Sequence, residues 1–138
     1  MGTILCGVDD SSGAAGALVL ARELSVQLEA RLVIAHIAHG FEGLGDSLTG
    51  VQAREGAVRL LDKIARDSGL SPDIDRRAEV GEPAERLATI AAEEGADVIV
   101  VGSRRGGWRG AALVSNLARK LGATTTRPVV VVPPNSAG

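Results

Sequence analysis

Two stretches of the chain hold residues able to do chemistry. Asp9 and Asp10 follow a short apolar run at residues 3–8. The segment 102–116, GSRRGGWRGAALVSN, combines four glycines with Arg104, Arg105 and Arg109. Carboxylates at the end of a strand suit a metal ion, or a hydrogen bond to a ribose or an adenine. The plainer alternative is that they cap the following helix and complement its dipole. Asp9, at the strand end, is expected to carry the functional role and Asp10 the cap. Gly102, Gly106, Gly107 and Gly110 let backbone amides approach a ligand just before a helix begins, an arrangement that suits phosphate. The arginines add charge-assisted donors. An anion site is the expectation here, and a plain turn is the alternative.

Sharper motifs fail. Residues 102–107 have P-loop spacing, but Trp108-Arg109 stand where Lys-Ser/Thr is required. A dinucleotide fingerprint belongs after the first strand, where the turn is acidic instead. A phospho-acceptor receiver needs an aspartate after its third strand and a lysine after its last, and the only lysines are Lys63 and Lys120. His36 reads as a satisfied core residue and His39 as a loop histidine with no evident partner. Cys6 reads as a small buried hydrophobe. Trp108 either covers a ligand or anchors the loop. No local signature supplies a nucleophile with its base.

The elements that must position these groups alternate regularly. Apolar strand-like runs fall at 3–8, 31–37, 73–80, 97–101 and 128–132. Between them lie amphipathic helical stretches. The first is capped by Ser11 or Ser12 and turns Ala14, Ala17, Leu18, Ala21, Leu24 and Leu28 inward. After a loop at 39–50, the second buries Val51, Val58, Leu61 and Ala65 and ends at Gly69. The third starts at Gly81-Glu82-Pro83, buries Ala84, Leu87, Ala88 and Ala91, and ends at Gly95. A fourth is expected near 112–121. Runs apolar on both faces, alternating with helices, call for a parallel sheet covered on both sides. The strand at 73–80 alternates like an edge. Ligands of such sheets bind beyond the carboxyl ends of the strands, where Asp9 and Gly102 both fall.

Composition narrows the function classes. The 138 residues carry 15 Lys+Arg against 17 Asp+Glu, a net charge of -2, with 45% hydrophobic residues. That fits one globular domain over 1–138, with a frayed tail at 134–138. No run reaches the roughly 20 apolar residues of a membrane span, and no signal-like segment opens the chain, so a cytoplasmic protein is expected. A lone cysteine excludes a disulfide framework. The charge is uneven: after Asp97 there are six cations and no acids, Arg104, Arg105, Arg109, Arg119, Lys120 and Arg127. The first 97 residues therefore carry -8 and the rest +6. Such a block favours a bound anion; a solvated surface is the other reading. With only Phe41 and Trp108 as aromatics, nucleic acid is not an expected partner.

Across essentially its whole length the sequence resembles the universal stress protein family. The matching stretches are ILCGVDDSS (4–12), LVIAHI (32–37), VGEPAERL (80–87), ADVIVVGSR (96–104) and RPVVVV (127–132). The resemblance implies a five-stranded parallel sheet of order 3-2-1-4-5, helices on both faces, and a homodimer. It also implies ATP or another adenine nucleotide, with magnesium accompanying it. Adenine contacts carried over from the family fall on Gly7, Val8, Asp9 and Ile37. The phosphate motif, glycine, two residues, glycine, nine residues, glycine-serine, begins at Gly102 and then departs. Arg105 holds the second glycine's place, and Ser115-Asn116 stand where Gly-Ser is expected.

Arginine in a left-handed position costs about 1–2 kcal/mol; a charge-assisted bond to phosphate returns about 1.5–3 kcal/mol. Gly106 takes over the second position if the loop shifts by one residue. The expected site is therefore Gly7, Val8, Asp9, Ile37, Gly102, Arg104, Arg105, Gly106, Ser115 and Asn116. ATP, ADP, AMP and no nucleotide all stay open. The functional expectation is a nucleotide-binding stress sensor or regulator with at most weak hydrolysis. The alternative is a nucleotide-independent, dimeric protein-interaction module for an unknown protein partner. In the implied order the last strand is an edge. Its unbroken β-branched run, Val129, Val130, Val131 and Val132, is expected to form the dimer edge, covered by a second copy.

Overall fold

β-Branched and aliphatic runs too short for helices form the strands, and the longer alanine- and leucine-bearing stretches between them form the helices. The computed structural model describes residues 2–9, 12–38, 47–102 and 116–133. In chain order the elements are β1 (Thr3–Gly7), α1 (Ser12–Gln27), β2 (Arg31–Ala38), α2 (Ser47–Asp67) and β3 (Asp75–Val80). They continue with α3 (Pro83–Glu94), β4 (Val98–Gly102), α4 (Asn116–Thr124) and β5 (Val129–Val132). All strand pairs are parallel and the sheet order is β3-β2-β1-β4-β5, as the alternation and the resemblance imply.

The pleat divides the core into two layers. Leu5, Val33, Ala35, Ile37, Ile99 and Val101 meet α3 and α4 through Leu87, Ile90, Ala91 and Leu121. Ile4, Cys6, Val8, Ile34 and Val100 meet α1 and α2 through Ala17, Leu18, Ala21, Leu61 and Ala65. Each large aliphatic side chain removed from water contributes about 1.5–3 kcal/mol. Helix α3 has the sharpest boundaries. Glu82 caps it by accepting from the Glu85 amide at 2.7 Å, Pro83 occupies the first turn, and Gly95 closes it in a left-handed conformation (φ 66°).

The valine run forms the edge strand expected of it, and its side chains divide between the two layers. Val129 and Val131 pack on the α3–α4 layer, whereas Val130 and Val132 pack on the α1–α2 layer. In register, Val130 lies beside Val100 and Val131 beside Val101, so β4 occupies one backbone edge of β5. All four valines are half-buried within the single chain. Alternation turns these side chains above and below the sheet. What β5 presents beyond β4 is its other backbone edge.

Several further expectations are corrected. Leu28 lies beyond the end of α1 and is exposed. Val51 and Val58 also face solvent, because the buried stripe of α2 runs through Ala57, Leu61 and Ala65 instead. Seven-residue spacing marks a stripe without saying which stripe the sheet receives. Helix α2 begins at Ser47, inside the stretch expected to be loop. Ile90, unassigned from periodicity, is among the most buried side chains of α3. Ser12 is the first residue of α1 rather than its cap. Asp10, Ser11, His39, the tail at 134–138 and residues 103–115 lie outside the described residues.

Candidate functional site at the carboxyl edge of the sheet

Strand order determines what meets at the carboxyl edge. The chain leaves β1 for β2 on one side and reaches β4 on the other, so the β1 and β4 exits are neighbours where the strand order reverses, the place at which such sheets bind ligands. Gly7 pairs with Ala35 on β2 and with Val101 on β4. Asp9 follows two residues later and is half-buried, on the strand whose neighbour β4 ends at Gly102. Helix α4 then begins at Asn116, which is exposed, on the same side of the sheet as α3.

Gly7 is required here by close approach. A Cβ at this position would lie 3.2 Å from Leu87 Cδ1 and 3.3 Å from Val101 Cγ1, tighter than ordinary van der Waals contact. Its role in the fold is to let α3 settle onto β1. Val8 is buried in the opposite layer, with its N–H donating to Ala35 O at 2.8 Å. The Val8 carbonyl accepts from His36 Nδ1, also at 2.8 Å. Because a carbonyl only accepts, Nδ1 must carry the proton. His36 is thus a satisfied, half-buried residue as expected, and it holds the backbone immediately before Asp9. Ile37 is buried on the α3 side, among Ala84 and Leu87. Arg104, Arg105, Gly106, Trp108, Arg109 and Ser115 lie outside the described residues.

Two of the six cations after Asp97 are engaged elsewhere in the fold. Arg127 lies at the opposite end of the sheet, its Nε donating to Ala96 O at 2.5 Å just ahead of β4. Lys120 faces Glu82 Oε1 at 3.8 Å, joining α4 to the cap of α3. A second charged cluster, with no local signature in the sequence, also occupies that amino end. Arg31 bonds Asp75 at 2.8 Å and Glu94 at 2.9 Å. Arg77 bonds Glu94 at 2.7 Å and Glu93 at 2.6 Å. Hydrogen bonds from Arg77 and then Arg31 hold the Glu94 carboxyl below its ordinary range, against the opposing effect of desolvation. Burial pushes the Cys6 thiol up to about 12. Among the described residues no group of three or more His, Cys, Asp and Glu side chains is placed to hold a metal ion.

A parallel sheet covered on both faces, with its strand order reversing between β1 and β4, defines an open α/β fold of the kind that binds ligands at that reversal. The family model for the universal stress protein family matches residues 1–133, and the chain belongs to that family. Among solved structures, a protein of this family from Burkholderia pseudomallei is 30% identical, with 96% of each chain covered and a TM-score of 0.69. Universal stress protein UspA from Lactobacillus plantarum is 17% identical, covering 95% of this chain and 97% of its own, with a TM-score of 0.76. A universal stress protein in complex with cAMP is 21% identical, covering 97% and 98%, with a TM-score of 0.70. No curated protein matches the chain.

Proposed function

We propose that the protein is a stress-response sensor or regulator that binds an adenine nucleotide at the carboxyl edge of its sheet. The observation that carries this reading is the juxtaposition of Asp9 with the β4 exit at the reversal of strand order, on the side walled by Ile37 and the start of α3. Asp9 is suited to hydroxyl or amino groups of the nucleoside, and Ile37 gives its ring an apolar wall. Gly102, Arg104, Arg105, Gly106, Ser115 and Asn116 belong to the phosphate side. The cAMP complex of a structural relative supports the choice of ligand class. Arg105 in place of the motif's second glycine favours binding weaker than the full motif would give, so ADP and AMP are candidates alongside ATP. Magnesium, where present, would be held chiefly by the phosphates.

The same proposal covers assembly and location. Among the described residues no helix is long and apolar enough to cross a membrane, and a cytoplasmic single domain is the reading adopted. The two sheet edges differ in kind: β3 reads Asp-Arg-Arg-Ala-Glu-Val, whereas β5 is the four half-buried valines Val129, Val130, Val131 and Val132. Charged side chains on an edge strand discourage backbone pairing, and β5 carries none, which supports homodimerisation through β5. Calorimetry with ATP, ADP and AMP tests the nucleotide reading: binding is expected in the wild type and its loss in Asp9→Ala. A wild type giving no heat with any of the three at millimolar concentration leaves the interaction-module reading standing.

A further inference from the structure

Gly81 leaves β3 at φ 149°, a conformation that side-chain-bearing residues rarely adopt, and its amide donates to Ala38 O at 2.9 Å. The space beside it is taken by Arg86, from the start of α3. A Cβ on Gly81 would lie 2.9 Å from Arg86 Nε and 3.2 Å from its Cγ. The arginine is therefore laid along the carboxyl end of β3. Its side chain makes no hydrogen bond or ion pair among the described residues, whereas Arg31, Arg76 and Arg77 are all engaged by carboxylates. Glu82, four residues earlier on the same helix, is already committed to the Glu85 amide and to Lys120. A guanidinium with no side-chain partner among the described residues thus stands on the α3 side of the sheet, the side toward which Gly7 and Ile37 face.

We infer that Arg86 closes the β2–β3 side of the nucleotide pocket, with its guanidinium against the adenine ring. This rests on the nucleotide reading above and adds a base-contact residue to it. Along the carboxyl edge the order is Gly81, Ile37–Ala38, Asp9 and Gly102. The ends of β3 and β1 are two strand spacings apart, about 10 Å, which an adenosine spans. Gly102 and the amino end of α4 lie at the far side and suit the phosphates, so the base falls toward β3. There a planar cation stacks on a heteroaromatic ring and donates N–H bonds to its acceptor nitrogens.

The test is calorimetry of the full chain with adenosine, AMP and ATP, comparing wild type, Arg86→Ala and Arg86→Lys. The alanine variant is expected to weaken all three ligands by a similar factor, about tenfold. Lysine, which keeps the charge and loses the plane, should recover only part. A loss that grows with the number of phosphates places the guanidinium on the phosphates and overturns the inference. Unchanged affinity for all three overturns it too, while leaving the nucleotide reading intact. A wild type that binds none of the three overturns the nucleotide reading itself.

Discussion

His36 Nδ1 and the carbonyl of Val8 lie 2.8 Å apart, a bond that ties β2 to the last residue before Asp9. Asp9 stands outside the ladder that holds β1, so the backbone on which it is displayed depends on Val8. Val8 is held from its N–H by Ala35 and from its carbonyl by His36. The histidine is structural, and its structural work is done at the backbone that carries Asp9.

Replacing His36 with alanine should lower stability by about 1–3 kcal/mol, because the Val8 carbonyl loses its side-chain donor in a partly buried setting. Urea denaturation followed by circular dichroism measures this as a lower midpoint at unchanged slope.

Gly7→Ala should destabilise by about 1–3 kcal/mol through overpacking against Leu87 and Val101. Leu87→Ala removes the nearer obstruction, so the double variant should be more stable than the sum of the single losses predicts. A double-mutant cycle in urea reads that coupling; strict additivity would show that Leu87 is not what excludes the methyl group.

Glu94 links stability to pH. Its folded-state pKa is depressed by Arg77 and Arg31, so its contribution is present above the ordinary value of 4.5 and is lost as pH falls through the depressed value. Glu94→Gln should be less stable than wild type at pH 7 by about 1 kcal/mol. The two curves should converge in acid once pH has fallen below the depressed value. Thermal melts across that range check the sign.

Cys6 should be inert while the protein is folded, since its thiol is fully buried and raised to about 12. A disulfide reagent at pH 8 is expected to label it only as the chain unfolds. Above pH 9 the unfolded state ionises first, so this residue's share of stability is lost with rising pH.

Association through β5 predicts a melting temperature that rises with protein concentration, because a partner binds only the folded chain. Sedimentation equilibrium should give a dimer that dissociates on dilution. A monomer at every concentration would remove the pairing from the account.

Much of the frame was legible because local chemistry marks it. Glu82, Pro83 and Gly95 delimit α3 in the sequence as they do in space, and the strand runs need only their β-branched composition. Ala17, Leu18, Ala21, Ala84, Leu87 and Ala91 were legible as buried for the same reason. Helix α2 shows where that reasoning ends. Val51 and Val58 are more apolar than Ala57, yet the sheet receives the alanine stripe. Val130 and Val131 are alike in the sequence and neighbours in the chain, yet they serve opposite layers of the core. Arg86 stood within a motif quoted for its glycine and proline, and nothing local set it apart from the other exposed arginines. Arg127 is likewise close in sequence to Lys120 but bonds a carbonyl at the opposite end of the sheet.

The sequence by itself determined the number and type of elements, their order, and the presence of an acidic turn after β1 and a glycine-arginine segment after β4. Those properties follow from residue type and spacing within a few turns of chain. Only the tertiary structure decided which groups are neighbours across long separations. Gly7 is matched to Leu87, His36 to Val8, Arg31 to Glu94, and the Arg86 side chain to the bare backbone of Gly81. Such contacts depend on strand register and on the helix face turned to the sheet. Both are selected by packing the whole core at once, which no local segment encodes.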